Sequence, residues 1–306
     1  MIATLVLAAG LGTRLDPLTR LVAKPAVPVG DTALGVRVLQ WLAREGVTDV
    51  VLNLHHLPDT ITGLIGDGAH LGLRVRYSWE REVLGSAGGP RHALGLIDSD
   101  PFLIVNGDTL TDVALAPVID AHRASGADVT MVVIANPAKD RYNGIDADAD
   151  GIVRGFIPKG HTQPSWHFVG IQVVNQRVFA ALPDHTPAET VHGVYRELIA
   201  SAPGRVRVFP VTAEFHDVGT PEDYRAMCAT FDGISADGNI IWPDAHVMPG
   251  ARLTDCIVGG PIVVPATVTA ERALLLPRAV CRPGDACTFA GDIAIFHPPS
   301  HGLFVA

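Results

Sequence analysis

A glycine-rich turn with two basic residues close behind it stands near the N-terminus. Residues 5–9 form a short apolar run, and Gly10 and Gly12 follow it. A glycine turn after a buried strand exposes successive backbone N–H groups, which can bind phosphate oxygens. Arg14 can donate to two oxygens of one phosphate, and Lys24, placed before a proline, can supply a fixed point charge. The segment therefore predicts a nucleotide phosphate site, although it has neither the GK[ST] of a P-loop nor the third glycine of the dinucleotide fingerprint.

Two aspartates follow strand-like segments and are candidates for contact with a substrate. Asp108 comes two residues after the apolar run 102–106, and Asp217 lies in the segment 215–220, which reads FHDVGT. Ligands of open α/β sheets bind outside the carboxyl ends of the strands, which is where Asp108 is expected. Taken singly, each aspartate also fits an ordinary turn or cap at a strand end. Their assignment therefore depends on the rest of the pattern.

Short β-rich runs alternate with helical patterns from residue 4 to about residue 135. This alternation predicts a largely parallel sheet with helices on its faces. The predicted strands are 4–8, 49–54, 73–77, 102–106 and 128–134, and the predicted helices are 34–45, 90–97 and 113–124. Beyond residue 145 the pattern is less regular and predicts strands 152–157, 168–174 and 206–211, helices 176–182 and 188–202, and a further helix capped by Thr220.

After about residue 232 the sequence changes to short apolar steps separated by glycine and proline. Apolar residues recur at a spacing near six, at Ile241, Val247, Leu253 and Val258 and again at Ile262, Val268 and Leu274. This spacing resembles the hexapeptide repeat of a left-handed β-helix. The sequence predicts a small β-rich appendage, which is either a short left-handed β-helix or an irregular β structure.

Composition argues against several classes of protein. Of the 306 residues, 48% are hydrophobic and 18% are charged, which is enough apolar material for a substantial core. The net charge of −9 argues against a nucleic-acid-binding surface. No run of about 20 apolar residues predicts a membrane span, and no basic region precedes the N-terminal apolar run, so we expect a cytoplasmic protein. The four cysteines include no CxxC pair and signal neither a zinc knuckle nor a disulfide framework.

The N-terminal segment GLGTRLDPLTRLVAKPAVPVG resembles the signature GxGTRLxPLTxxxxKPxxPV of the NDP-sugar pyrophosphorylases, which are sugar-1-phosphate nucleotidyltransferases. Within that family, His55-His56 and their surroundings look similar to the bacterial guanylyl- and uridylyltransferases of mannose or N-acetylmuramate phosphates. The resemblance covers residues 1–230 and implies a Rossmann-like α/β domain with a mixed, mostly parallel sheet. We therefore predict a nucleotidyltransferase catalytic domain over 1–231 and the β-rich appendage over 232–306.

The resemblance also implies a role for each matching residue on the nucleotide side. Arg14 and Lys24 would be catalytic and would act on phosphates. Asp108, in an Asn-Gly-Asp segment, and Asp217 would bind Mg²⁺. The implied nucleotide-binding residues are Leu7, Ala8, Ala9, Gly10, Gly12, Thr13, Glu80, Gly85, Ala87 and Gly88.

The sugar side matches the family less completely. The implied sugar-phosphate-binding residues are Asn143, Gly144, Lys159 and Gly170. Pro158 stands where the family has a glutamate that binds sugar hydroxyls, and proline has neither a carboxylate nor an N–H. This departure leaves the sugar undetermined, and Trp166, His167 or Asn143 could anchor it instead.

The implied reaction is nucleotidyl transfer from a nucleoside triphosphate to a sugar 1-phosphate, with release of pyrophosphate. GTP and UTP are the favoured nucleotides, because a carboxylate such as Glu80 or Glu82 can accept hydrogen bonds from guanine or uracil. Two alternatives stay open: a non-catalytic relative that binds a nucleotide sugar as a regulatory subunit, and a nucleotidyltransferase for a phosphate that is not a sugar phosphate. We expect no nucleic-acid or membrane partner, and self-association as a homo-oligomer is left open.

Overall fold

The structure is a computed structural model that describes residues 2–297. Contacts within the chain divide it into two compact units. The first unit contains residues 2–10, 38–58 and 62–215, and the second contains residues 11–37, 59–61 and 216–297. No helix in the described part of the chain is long and apolar enough to cross a membrane.

Strands and helices are numbered in chain order. The strands up to residue 217 are β1 Thr4–Leu7, β2 Pro28–Val29, β3 Thr32–Ala33, β4 Asp49–Leu54, β5 Arg74–Trp79, β6 Phe102–Asn106, β7 Thr109–Thr111, β8 Val129–Ala135, β9 Gly144–Ala147, β10 Val153–Ile157, β11 Trp166–Val174, β12 Val206–Pro210 and β13 Phe215–Asp217. The later strands are β14 Ile240–Ile241, β15 His246–Val247, β16 Arg252–Thr254, β17 Ile257–Val258, β18 Val263–Val264, β19 Thr269–Glu271, β20 Leu274–Pro277, β21 Cys287–Ala290 and β22 Ile293–Phe296. The α-helices are α1 Leu34–Arg44, α2 Pro58–Ile65, α3 Gly85–Ala93, α4 Leu115–Ser125, α5 Arg177–Ala180, α6 Tyr195–Ser201 and α7 Pro221–Thr230.

A mixed nine-stranded sheet organises the first unit. Its strand order is β10-β9-β11-β6-β1-β4-β5, and β8 pairs with both β11 and β12. Strands β6, β1, β4 and β5 run parallel, as the alternation of apolar runs and helices predicts. Strand β11 is antiparallel to β6 and to β8. The expected Rossmann-like α/β architecture with a mixed sheet is therefore confirmed.

Strands β1, β4 and β6 are buried on both faces, which explains why they are almost continuously apolar in sequence, whereas the edge strand β5 carries two arginines. Leu5 of β1 is fully buried and Ile104 of β6 is 1% exposed. Phe102 belongs to the same core, where its ring centroid lies 6.2 Å from that of Phe179 in α5. This packed layer gives the strand ends, where ligands of such sheets bind, a rigid support.

Helix α3 starts earlier than the helix that the sequence predicts at 90–97. It begins at Gly85 and ends at Ala93, so Pro90 lies inside it rather than in its first turn. The backbone N–H groups of Ala87 and Gly88 both donate to the carbonyl oxygen of Ala188, at 2.9 and 3.2 Å. This partner lies far away in the chain, and no local sequence pattern could have revealed it.

The C-terminal strands of the second unit wind as a three-sided β-helix. Strand β14 pairs in parallel with β17, β15 with β18 and β16 with β19, each time with the residue 17 positions further on. Ile240 pairs with Ile257, for example, and Ile257 pairs in turn with Leu274. In the first apolar segment after residue 232 the buried residue is Ile240, whereas Ile241, which the predicted repeat used, is exposed. The predicted β-rich appendage is confirmed, whereas the left-handedness of the β-helix stays a prediction.

Two local features complete the second unit. The predicted cap of α7 is confirmed, because Asp223 N donates to Thr220 Oγ1 at 3.3 Å and Thr220 N donates to Asp223 Oδ2 at 2.9 Å. The cysteines, by contrast, are not all isolated. Cys281 and Cys287 are half-buried thiols whose Sγ atoms lie 2.6 Å apart.

Candidate active site

The carboxyl ends of the parallel strands meet at one edge of the nine-stranded sheet. In β1, Leu7 is in register with Asn53 of β4 and with Asn106 of β6. The chain leaves the sheet just beyond this level, at Ala8 after β1 and towards Asp108 after β6. Ligands of open α/β sheets bind at this edge. The fold therefore brings Leu7, Ala8 and Asp108, which the sequence predicts as nucleotide and metal contacts, to the same place.

A buried polar network lies at this edge. Asn53 Oδ1 accepts a hydrogen bond from Ala8 N at 2.7 Å, and Asn53 Nδ2 donates to Glu80 Oε1 at 2.7 Å. Glu80 Oε2 accepts from Leu84 N, just before α3, at 2.9 Å. Glu80 is 6% exposed and Asn53 is 3% exposed. The network fixes the ends of β1, β4 and β5 relative to the start of α3. A contact of Glu80 with the nucleotide base stays a prediction.

The first turn of α3 carries three of the residues predicted to bind the nucleotide. Gly85 opens the helix, Ala87 is fully buried and Gly88 is buried behind it. The N–H groups of Ala87 and Gly88 already donate to Ala188 O. A base bound here must therefore be recognised by other atoms of this turn.

Asp108 follows β6 as a half-buried carboxylate beside β11. Its Oδ1 accepts a hydrogen bond from Thr109 Oγ1 at 3.5 Å. Gly170 of β11 has a φ of 79°, and a Cβ added there would lie 2.8 Å from Asn106 Nδ2. Gly170 thus allows β11 to approach Asn106, the first residue of the Asn-Gly-Asp segment, closely.

Three of the four predicted sugar-side residues, Asn143, Gly144 and Lys159, form one patch at the hairpin of β9 and β10, whereas Gly170 lies in β11. Lys159 N donates to Asn143 Oδ1 at 3.0 Å, and Gly144 pairs with Ile157. The side chains of Asn143 and Lys159 are exposed, whereas Gly144 is buried. The patch can therefore present an ammonium group and an amide to an anionic ligand.

His167 of β11 is a buried histidine without a hydrogen-bond partner. It is 8% exposed, and neither ring nitrogen is hydrogen-bonded to any residue in the range 2–297. Its ring centroid lies 4.2 Å from that of Tyr142 and 4.9 Å from that of Phe215. The pKa of His167 is lowered to about 4, mainly by burial and also by the charge of Arg141, while a backbone contact with Asn143 that falls short of a normal hydrogen bond opposes the shift. The imidazole is therefore neutral at pH 7, and unpaired buried polar groups of this kind are uncommon in folded proteins.

In the second unit, the glycine turn packs against the lysine that follows it. Gly12 lies against the side chains of Thr19 and Lys24, and Thr19 Oγ1 donates to Gly12 O at 3.0 Å. 3₁₀ turns begin at Thr13, at Leu18 and at the half-buried Lys24. The turn and the lysine are neighbours, as the sequence predicts.

Arg14 lies next to the segment that follows β13. A Cβ added at Gly219 would lie 3.0 Å from Arg14 Nη1, so the missing side chain leaves room for the guanidinium group. Gly219 comes two residues after Asp217, and the second unit thereby groups Arg14 with the predicted metal-binding segment. Arg14 is exposed and forms no hydrogen bond or ion pair with any described residue. An arginine without a carboxylate partner can bind a phosphate.

Residues 3–232 match the model of a protein family described as nucleotidyl transferase. The chain belongs to this family. A mannose-1-phosphate guanylyltransferase of Mycobacterium tuberculosis is 28% identical over 268 residues, which are 84% of this chain and 74% of that protein. A mannose-1-phosphate guanyltransferase of Pichia angusta is 28% identical over 73% of this chain. A UTP–glucose-1-phosphate uridylyltransferase of Synechocystis is 26% identical over 72% of it. The match spans 63% and 61% of the last two proteins.

Solved structures share the fold of this nucleotidyl transferase. HddC from Yersinia pseudotuberculosis is 25% identical, with a TM-score of 0.67 over 76% of this chain and 100% of that one. The same protein complexed with GMP-PN is 24% identical, with a TM-score of 0.66. A putative glucose-1-phosphate thymidylyltransferase from Bacillus anthracis is 17% identical, with a TM-score of 0.67 over 77% of this chain. At 24% and 17% identity, the likeness shows the fold alone.

The predicted site residues of this nucleotidyl transferase divide into one set in each unit. The first unit holds Leu7, Ala8, Ala9, Gly10, Glu80, Gly85, Ala87, Gly88, Asp108, Asn143, Gly144, Lys159 and Gly170. The second unit holds Gly12, Thr13, Arg14, Lys24 and Asp217. Sequence reasoning missed Asn53, whose signal is a single amide in strand β4, which is otherwise apolar after Asp49. A buried amide needs hydrogen-bond partners, and its position at a strand end indicates a positioning role.

Proposed function

We propose that this chain transfers a nucleotidyl group from a nucleoside triphosphate to a sugar 1-phosphate and releases pyrophosphate. The observation that carries the proposal is Arg14, an exposed guanidinium group that has no carboxylate partner among residues 2–297, set on a glycine turn in a chain of net charge −9. Membership of the nucleotidyl transferase family supports it, as do relatives named for guanylyl and uridylyl transfer to sugar 1-phosphates.

The proposed reaction needs alignment and charge neutralisation more than proton transfer. The attacking group is an oxygen of a phosphate monoester, which is largely dianionic at neutral pH because its second pKa is about 6. It must approach the α-phosphorus of a triphosphate that is itself strongly anionic. In this proposal Arg14 stabilises the departing pyrophosphate, and Lys24 and Lys159 hold phosphates in line.

Asp108, in the first unit, and Asp217, in the second, each suit Mg²⁺ by the chemistry of their donor atoms. Each is a half-buried carboxylate at or just after the end of a strand, and Mg²⁺ prefers carboxylate, phosphate and water oxygens. When bound, the ion would neutralise part of the charge on the triphosphate. We therefore assign these two carboxylates to the cofactor.

His167 is the proposed contact for a sugar hydroxyl. Pro158 cannot supply the carboxylate acceptor that the family resemblance implies at this position. His167 is buried and neutral, and its two unpaired nitrogens offer one donor and one acceptor in the aromatic surroundings described above. A hydroxyl group is both a donor and an acceptor, so it can satisfy either nitrogen. A buried water on the same atoms is the alternative.

GTP or UTP is the proposed nucleotide, because the relatives include both guanylyl- and uridylyltransferases. Glu82 is exposed, whereas both oxygens of Glu80 accept hydrogen bonds within the protein, so Glu82 is the freer of the two candidate contacts to the base. We also propose a catalytic domain over 1–231, an appendage over 232–306, a cytoplasmic location, and assembly through the β-helix if the chain is oligomeric.

The decisive experiment is a grid of nucleoside triphosphates against sugar 1-phosphates and phosphorylated alcohols, with pyrophosphate release as the readout. We expect turnover with GTP or UTP and one class of sugar 1-phosphate, and its loss in Arg14→Ala but not in Arg44→Ala, a matched change of an exposed arginine. Turnover with a phosphorylated alcohol alone would favour the second alternative. Nucleotide binding without turnover for every acceptor would favour the regulatory relative.

A further inference from the structure

Two histidines and an aspartate form a cluster outside the proposed active site. His92 lies near the C-terminal end of α3, and Asp184 and His185 lie in the loop that follows α5. The nitrogen and oxygen atoms that they could offer to a metal ion all lie within 4.8 Å of one another. All three residues belong to the first unit, and none of them has a part in the proposed reaction.

The hydrogen bonds of His92 fix which of its ring nitrogens carries a lone pair. Nε2 lies 3.1 Å from the carbonyl oxygen of Trp79, which can only accept, so Nε2 carries the hydrogen. In the neutral ring Nδ1 is then an acceptor, yet it faces Asp184 Oδ1 at 2.9 Å. Two acceptors at this distance repel each other unless a cation lies between them. That cation is either a second proton on the ring or a metal ion.

The surroundings of His92 are those of a metal-binding histidine. Histidines that bind a metal almost always donate their other ring N–H to a carbonyl or carboxylate oxygen, which fixes the orientation of the ring. Trp79 O has this position for His92. His185 supplies the next nitrogen, because its ring centroid lies 4.4 Å from that of His92 and its Nε2 lies 3.8 Å from Asp184 Oδ2.

The spacing of these atoms requires only small movements to hold an ion. Nitrogen and oxygen ligands of a tetrahedral zinc ion, at about 2.1 Å from the metal, lie about 3.4 Å from each other. The His92–Asp184 pair is therefore about half an ångström too close, and His185 must move inward. His185 is free to do so because its side chain is 71% exposed. A water molecule can complete the coordination from the solvent side.

We propose that His92, Asp184 and His185 form a binding site for a divalent transition metal, with Zn²⁺ as the best fit to two imidazoles and one carboxylate. The ion would join the end of α3 to the loop after α5. The same loop continues to Ala188, whose carbonyl oxygen accepts hydrogen bonds from the first turn of α3. Metal binding would therefore stabilise the loop that holds the proposed nucleotide-binding turn in place.

The test uses the full chain with Cys281 and Cys287 replaced by serine, because two adjacent thiols would also bind zinc. The metal-free protein is titrated with Zn²⁺ by calorimetry in excess Mg²⁺, which occupies oxygen-only sites. We expect one zinc ion that is lost in His185→Ala and in Asp184→Asn but kept in His70→Ala, a change of another exposed histidine. At a zinc concentration about 100-fold above Kd, the Tm should rise by about 4–6 °C.

Two further measurements distinguish a bound metal ion from a second proton on the His92 ring. Co²⁺ in place of Zn²⁺ should give a visible absorption band of a nitrogen and oxygen site, absent in His185→Ala. Hydrogen exchange at the amides of Ala87, Gly88 and Ala188 should slow when zinc binds. Equal zinc affinity in His185→Ala and its parent would overturn the proposal. So would the absence of zinc binding to the parent, which would make His92 and Asp184 a simple ion pair with a shared proton.

Discussion

Replacing His167 with phenylalanine should make the stability of the protein less sensitive to acid. The unfolded chain holds this histidine at its ordinary pKa of 6.5, whereas burial lowers the pKa in the folded state to about 4. Between these values the unfolded state binds a proton that the folded state does not. The contribution of His167 to the free energy of unfolding is therefore largest above pH 6.5 and is lost as the pH drops towards 4.

The size of the effect follows from the two pKa values. Each pH unit between them costs about 1.4 kcal/mol, so the wild-type chain loses about 2 kcal/mol between pH 6.5 and pH 5 through His167 alone. Phenylalanine keeps the ring contacts with Tyr142 and Phe215 but has no proton to bind. At pH 7 the variant should be at least as stable as the wild type, because an unpaired buried polar group costs about 1–3 kcal/mol.

Urea denaturation of both proteins at pH 7 and pH 5 measures this difference. All other titrating groups are common to both chains, including His122, whose pKa burial also lowers, and their contributions cancel in the comparison. His70→Ala provides the control for loss of an exposed imidazole. Parallel losses of stability in His167→Phe and the wild type would refute the conclusion that His167 is buried and neutral.

In the active enzyme, His167→Phe should raise the KM for the sugar phosphate and leave the KM for the nucleotide unchanged. An unchanged KM for the sugar phosphate would instead mean that the ring nitrogens of His167 bind a water molecule.

Three further predictions concern the proposed reaction and the network at its edge. Arg14→Ala should lower kcat by a factor of about 10² to 10³ with little effect on nucleotide affinity, and Arg14→Lys should recover little of it; near-normal single-turnover rates in the alanine variant would remove this residue from the chemistry. EDTA should abolish turnover and added Mg²⁺ should restore it, because Asp108, Asp217 and the triphosphate are all anionic; full activity in EDTA would contradict the metal assignment. Asn53→Ala should lower the free energy of unfolding by about 2–4 kcal/mol, since it leaves the buried N–H of Ala8 and the Oε1 atom of Glu80 without their partner. A loss of less than half a kcal/mol in urea titration would count against the network.

Local patterns in the sequence determined the elements whose stability depends on near neighbours. The strands predicted at 49–54 and 102–106 have these bounds in the structure, because a strand buried on both faces is almost continuously apolar. The start of α7 was predictable for a similar reason. Its cap, its first-turn proline and its acidic residues all act within one helical turn. The spacing near six after residue 232 likewise indicated the β-helix, since each side of a coil repeats locally.

The glycine turn and its basic residues were also readable from sequence, because phosphate binding needs particular residue types at short spacing. Arg14 and Lys24 follow the turn closely in the chain, and the second unit keeps them near it. What the sequence could not give was the set of contacts that leaves Arg14 without a carboxylate partner.

Only the tertiary structure decided the features that depend on partners far apart in the chain. The true start of α3 depends on Ala188 O, and the role of Asn53 depends on Ala8 and Glu80, which come from different strand ends. The unpaired state of His167 exists only once β11 is packed in the sheet, because burial and the loss of hydrogen-bond partners are properties of the folded environment. Sequence determines which groups are present, and packing determines which of them are left for a ligand.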